Sequence, residues 1–302
     1  LTFGANPDSR AASVAQTSST QLIHAGQLLD RPGRPARGPS TLVVREGRIV
    51  AVHDGLQSAS ALALPADTVV IDLSSRFVLP GLIDSHVHLD SDLAGVEGLV
   101  EGMTRSTAAA AYDAAVNARK TLRAGFTTVR NLGSDAWNDV GLRQAIDEGK
   151  AAGPRIIPAG YAFGATGGHC DSTYFPPSMN DRNLYNADSP EEARKSVRAV
   201  RKYGAQVIKI CATGGVFSRN TEPGQQQMTY AEMKAVVDEA RMWGVKVAAH
   251  AHGAAGIREA IRAGVDTIEH ASLLDDEGIR LAKQHGAWLS MDIYNTDYTQ
   301  SE

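Results

Sequence analysis

Cysteine is scarce: Cys170 and Cys211 are the only two in 302 residues, too few for a disulfide framework. They fall in stretches that flank the candidate site, and they do not select a compartment. Basic excess is missing too, since 30 Lys and Arg against 34 Asp and Glu give a formal net charge of -4. That balance carries no footprint for nucleic acid, and no such partner is expected. No apolar run approaches the roughly 18 residues that a membrane span needs, so no membrane partner is expected. The first 19 residues begin at Leu1 without Met, are small and polar, and lack a charged-then-apolar leader pattern. They read as a flexible segment left by leader removal or by fragmentation. A soluble protein of the cytoplasm, the periplasm or the secreted space fits equally. What is present is 43% hydrophobic and 21% charged, enough to bury a sizeable core in one large domain or a large and a small one.

The stretch LPGLIDSHVHLD, Leu79 to Asp90, organises the rest. Val78, Leu79, Leu82 and Ile83 read as a buried strand around a Pro80-Gly81 bend, and side chains two apart on a strand share a face. His86 and His88 therefore project together and supply half of a ligand set for a transition metal, zinc being the best match. Before this stretch, QLIHAG, TLVVREGRIVAVHDG and TVVIDL are short alternating runs broken by turn residues, with Glu46-Gly47 as a tight hairpin. Residues 20–77 are thus expected to form a small β-sandwich subdomain, incomplete in this chain.

After His88 the rhythm changes. Ala-rich and charged helical stretches alternate with FTTVRNLG, PRIIPAGYAF, AQVIKICATGG, VKVAAH, VDTIEH and AWLSMDIY, the pattern of a parallel sheet in an α/β protein. Ser189 to Glu192 and Thr229 to Glu232 read as capping boxes, and Gly125, Gly204, Gly244, Gly264 and Gly286 fall where helices should stop. Residues 78–302 then hold seven strands of a TIM-like (β/α)8 barrel, truncated after the seventh. Its active site is expected at the C-terminal strand ends. His86, His88, His250 and His270 all lie there, and Lys209 interrupts the apolar strand VIKIC. A buried ammonium must be paired or neutralised. A neutral amine can take up carbon dioxide as a carbamate, and the alternative is an ordinary salt bridge.

The PGLIDSHVH opening, the lysine in IKICATGG, and the histidines of HAHG and EHAS resemble the amidohydrolase superfamily of metal-dependent hydrolases. The resemblance runs from Gln21 to the end and is greatest to the dipeptidase and carboxypeptidase subgroup. That subgroup is prolidase-like, is related to imidazolonepropionase, and includes ochratoxin-hydrolysing amidases. It implies a binuclear hydrolase of amide or peptide bonds in N-acyl amino acids, dipeptides or toxin amides of that form. His86 and His88 would hold one divalent ion, His250 and His270 the other, with carboxylated Lys209 between them. A small-molecule amide or dipeptide is the expected partner, and a homo-oligomer the expected assembly. The family's eighth-strand aspartate has no counterpart in this chain, and neither Asp292 nor Asp297 is assigned its role.

Around this set, His169 in GATGGHCD sits in a long loop, Gly164 to Asp188, of the kind that binds substrate. Carbonyl polarisation is its candidate role, a solvated loop histidine the alternative. His252 reads as substrate contact or support for His250. Gly214-Gly215 reads as a flexible loop carrying Arg219, a candidate for a substrate carboxylate. Tyr161, with Tyr174 and Phe175, is a candidate pocket wall, with plain packing as the alternative. Two competing functions are a mononuclear deaminase or cyclic-amide hydrolase, disfavoured because HAHGAAG offers no glutamate, and a non-catalytic truncated barrel.

Overall fold

The computed structural model describes residues 20–91 and 95–291. The segment 1–19 and Asp292 and Asp297 lie outside the described residues. The chain divides after Pro80 into two compact units.

In the first unit, β1 (Gln21–Leu28), β2 (Ser40–Arg45), β3 (Arg48–Asp54) and β4 (Val69–Val78) form one mixed sheet in the order β3-β2-β1-β4. The β2–β3 hairpin turns on Glu46 and Gly47, both at positive φ (50° and 71°). That is the left-handed pair that matches the twist of the flanking strands. Ala25, Leu28 and Leu42 make the small core of this unit.

The second unit is α/β with parallel strands. β5 (Leu82–Val87), β6 (Phe126–Asn131) and β7 (Arg155–Pro158) form one sheet; β8 (Val207–Cys211), β9 (Lys246–Ala251), β10 (Thr267–His270) and β11 (Trp288–Ser290) form the other. The two are joined where Gln206 N–H donates to Pro158 O at 2.7 Å and Phe163 bridges Ile210 in parallel register. Helices α1 (Gly95–Thr104), α2 (Thr107–Arg123), α3 (Asn138–Asp147), α4 (Pro190–Lys202), α5 (Tyr230–Met242), α6 (Ala254–Ala263) and α7 (Asp276–His285) alternate with these strands.

Local chemistry explains where the helices begin and end. Thr229 and Glu232 make a full capping box at α5. At α4 only half of the expected box forms: Ser189 Oγ accepts from Glu192 N–H, while the Glu192 carboxylate accepts from Asp188 N–H. Pro190 at the first helical position has no N–H to lose there. All five expected stop glycines have positive φ. The main core packs Ile208, Ile210, Val247, Ala249 and Ile268 against Val197, Val236, Ile257 and Ile261 of the helices.

The histidine strand differs from its expectation. Val78 closes β4 in the first unit, Leu79 is exposed, and Ile83 is 70% exposed. An apolar parallel strand reads as covered on every side, but among the described residues β5 pairs with β6 alone.

Candidate active site

Strand alternation decides what faces inward. All five residues of β8 are buried; Ile208 and Ile210 turn toward the helices, so Val207, Lys209 and Cys211 take the opposite face. Val207 packs there with Leu132, Ala159 and Ala248, and Ala248 shares its face with His250 on β9. Lys209 and His250 thus stand above this apolar layer. His270 ends β10 with φ 71° and is followed by Ala271 at φ 53°, two left-handed non-glycine residues in a row. Such strain concentrates at functional sites, and here Glu269 and His270 both reach the same cluster instead of alternating.

Six imidazoles gather. Ring centroids are 5.4 Å apart for His86 and His88, 4.9 Å for His86 and His270, and 4.6 Å for His250 with each of His252 and His270. His252 stacks on His270 at 4.8 Å, and His169 stacks on His250 at 4.1 Å. Ligand atoms of His250, His252 and His270 all lie within 4.8 Å of one another. Lys209 is close enough to bear on His86, His88, His169, His250 and Glu269.

For His86, His88 and His250, hydrogen bonding selects which ring nitrogen is saturated. A carbonyl oxygen can only accept, so His88 donates Nδ1–H to Gly133 O at 3.0 Å, leaving Nε2; His250 donates Nε2–H to Gly214 O at 3.0 Å, leaving Nδ1. His86 Nδ1 meets Glu269 Oε2 at 3.1 Å, which again leaves Nε2. Burial, then Lys209, lowers the His86 pKa to about 3, against the opposing pull of Glu269. Burial pushes Glu269 up, but the His86 bond, Lys209 and Arg130 hold it at about 2. The contact is therefore between a neutral imidazole and a carboxylate. His88 is solvent-accessible yet set deep in the site, and desolvation and Lys209 lower it. Burial brings His169 to about 4 and holds His250 well below its ordinary value, with the neighbouring histidines and Lys209 adding to it. Neutral imidazoles with one saturated and one available nitrogen are the donor set that a transition metal requires. The residues present fit such an ion.

Several supporting residues escaped the sequence reading. Arg130 on β6 spans the site: its Nε donates to Ser85 O at 2.7 Å, one terminal nitrogen to Thr267 Oγ1 at 3.0 Å and the other to Glu269 Oε1 at 2.7 Å. Asn131 accepts Leu89 N–H at 2.9 Å and donates to Gly133 O at 2.9 Å, bracing both sides of the His88 contact. Behind it Asp139, pushed up to about 6 by burial, accepts Gly160 N–H and Val140 N–H. Glu269 was open to discovery by the reasoning that found Lys209, as a charge inside the apolar strand VDTIEH. The others lie among ordinary polar residues and have no sequence signal of their own.

The loops are better anchored than their composition suggests. Gly215 is packed beneath His169, where a Cβ would come within 2.2 Å of the ring, so the Gly214-Gly215 pair is a seat rather than a flexible loop. His169 Nδ1 lies 2.9 Å from Ser218 Oγ, and His252 Nδ1 lies 2.9 Å from Ser272 Oγ. Cys170 and Cys211 form a disulfide between loop and strand, with Cα atoms 5.7 Å apart. The remaining candidates have partners of their own. The Arg219 residue is exposed, its backbone N–H donating to Thr173 Oγ1 at 3.0 Å. Tyr161 accepts Ala136 N–H at 2.8 Å and packs with Trp137 and Tyr185 in an aromatic group. Tyr174 donates from its hydroxyl to Phe217 O.

The amidohydrolase family model matches residues 77–300. This chain belongs to the amidohydrolase family. Among similar members, ochratoxinase of Aspergillus niger is 32% identical over 301 residues, covering 93% of this chain and 61% of that protein. The crystal structure of a Xaa-Pro dipeptidase with bound methionine in the active site is 36% identical at TM-score 0.82, covering 90% of this chain and 66% of that one. A prolidase complexed with n-methylphosphonate-l-proline is 33% identical at TM-score 0.79, with 90% and 65% covered. The chain spans about three-fifths of the length of the curated relatives it matches first. The family is one of hydrolases that generally use metal ions.

Proposed function

We propose that this amidohydrolase cleaves the amide bond of N-acyl amino acids or dipeptides with two divalent ions, zinc being the best match to the ligands. The observation that carries the reading is the inward cluster of histidines around Lys209, each of His86, His88 and His250 held by an oxygen on its outer nitrogen. His86 and His88 would hold one ion and His250 and His270 the other, with His252 beside them. A carbamate on the Lys209 amine would lie between. When bound, such ions lower the pKa of water and polarise a carbonyl.

The chain's own residues do the rest. Arg130 and Glu269 keep His86 in the tautomer that presents Nε2. His169 would donate a hydrogen bond to the substrate carbonyl, or hold the substrate, from its stack on His250. Arg219 and Tyr161 are candidates for the outer part of the substrate. The substrate class is supported by relatives described as Xaa-Pro dipeptidase, prolidase and ochratoxinase. We further propose that the parallel strands of the second unit belong to an eight-stranded barrel, that the sheet of the first unit belongs to a β-sandwich, and that the protein is a homo-oligomer.

The test is turnover of a dipeptide and acyl-amino-acid panel, ochratoxin included, by zinc-loaded protein. Release of the free amino acid is the expected result. Ammonia release from aminopurines or pyrimidines, without cleavage of any panel member, would overturn the reading. The compact group of His250, His252 and His270 favours a second arrangement with one ion on three histidines. Metal stoichiometry of one per chain would select it.

A further inference from the structure

We propose that the Cys170–Cys211 disulfide is a positioning element that holds His169 over the histidine cluster, so that opening the bond disables the site. The inference rests on the reading of that cluster as a hydrolytic centre. Its geometry is local: Cys170 directly follows His169, while Cys211 ends β8 two residues beyond Lys209 and pairs in register with His250. One covalent bond therefore ties the loop that carries His169 to the strand that carries Lys209, across a sequence separation of 41.

The loop needs such a tie. Between Gly164 and Asp188 its sole regular element is a short 3-10 turn at Pro177–Met179, and a long irregular segment has much conformational freedom to lose when its residues are localised. The hydrogen bonds that hold His169 run to Ser218 Oγ and, from its backbone N–H at 2.8 Å, to Gln227 Oε1. Both partners lie on a second loop, whose tip residues Val216, Phe217, Arg219 and Asn220 are exposed. Asn183 donates to Cys170 O at 2.8 Å from within the same loop. Beside these contacts and the stack on His250, the disulfide fixes the position covalently to a strand of the core. Cys170 is partly exposed and Cys211 is buried, so a reagent has one sulfur to approach.

The chemistry of release is thiol–disulfide exchange with a dithiol. A dithiol thiolate attacks Cys170 Sγ, the S–S bond breaks and Cys211 leaves as thiolate. The second dithiol sulfur then displaces Cys170 and closes the reagent into its own disulfide. Two electrons pass to the protein, and two protons complete the Cys170 and Cys211 thiols. An oxidising compartment would preserve the bond and a reducing one would open it.

The test uses the protein as isolated, before and after reduction by a trialkylphosphine, which avoids the metal chelation of a dithiol and leaves as the phosphine oxide. Reduction is expected to add about 2 Da and two titratable thiols. It is expected to lower kcat/KM by about tenfold at unchanged metal content and circular dichroism, and to cause no further loss in His169→Ala. A second readout is independent of turnover. In metal-free protein, carbethoxylation of His169 by diethyl pyrocarbonate, mapped by mass spectrometry, should accelerate several-fold on reduction, with exposed His285 unchanged. The Cys170→Ser/Cys211→Ser variant should behave as the reduced protein. Two free thiols in protein prepared under oxidising conditions would overturn the proposal. So would an unchanged His169 modification rate, or an equal activity loss in His169→Ala. If the oxidised protein hydrolyses no amide, the functional reading fails, and the carbethoxylation rate alone decides whether the disulfide positions His169.

Discussion

Glu269 shows how much a single residue contributes. Its carboxylate touches His86, Arg130 and Thr267 with no solvent exposure, and such partners of ligating histidines orient the ring and raise its basicity. Glu269→Gln keeps the shape but loses the charge, and it is expected to weaken metal affinity or turnover by roughly 10- to 100-fold, measured by zinc titration against a chromogenic chelator. An unchanged affinity would remove Glu269 and Arg130 from the positioning of His86. At this scale the sequence was legible where a polar residue breaks an apolar pattern. His250 and His270 end such strands, and Lys209 stands inside one. The role of His252 was not legible, because its place against His270 depends on the left-handed turn at His270 and Ala271, which no strand periodicity encodes.

At the scale of elements, the loops after β7 and β8 are built around close approaches. Gly215→Ala puts a Cβ into the His169 ring, so the ring or the loop must shift. Turnover is expected to fall at least about tenfold while the thermal midpoint moves less, since the new Cβ meets a site ring rather than the packed side chains of the main core. A large drop in midpoint with turnover intact would contradict that seat. The helix signals test separately: Thr229→Ala removes half of a complete capping box and should cost about 1 kcal/mol in denaturant unfolding. Helix starts, stop glycines and the β2–β3 hairpin were readable because each depends on a few adjacent residues. The disulfide was not, because pairing residues 41 apart requires the tertiary register. Exposure of Ile83 was missed for a related reason, since apolarity does not say which flank of a strand is covered.

For the whole molecule, the histidine cluster sets the response to pH. In metal-free protein His86 has its pKa at about 3 and His169 at about 4, below the ordinary value near 6.5. Between those limits the unfolded chain binds protons that the folded chain refuses. Stability is then fully present above about pH 6.5 and is lost as pH falls toward 4 and then 3. Glu269, held at about 2, acts in the same direction at lower pH. Asp139, raised to about 6, acts oppositely: its contribution is present at low pH and lost as pH rises through 6. The histidines outnumber it, so urea unfolding of the metal-free protein is expected to show a net loss on the order of a few kcal/mol from pH 7 to pH 4. Flat or rising stability over that range would mean that the rings are solvated and protonate freely. Zinc should raise the midpoint at pH 7 and progressively less below pH 6, because protons compete for the same nitrogens.

The measurement closest to the central claim is metal content and dipeptide turnover of soluble Lys209→Ala beside the parent. Lys209 sits in a fully buried strand and bears electrostatically on four histidines and Glu269, so a bridging carbamate there would hold the two-ion centre together. The expected result is two ions per chain in the parent, one or none in the variant, and a loss of turnover of at least about 100-fold with the fold retained; added acetate should restore part of it. Two ions per chain and near-normal turnover in Lys209→Ala would contradict the claim.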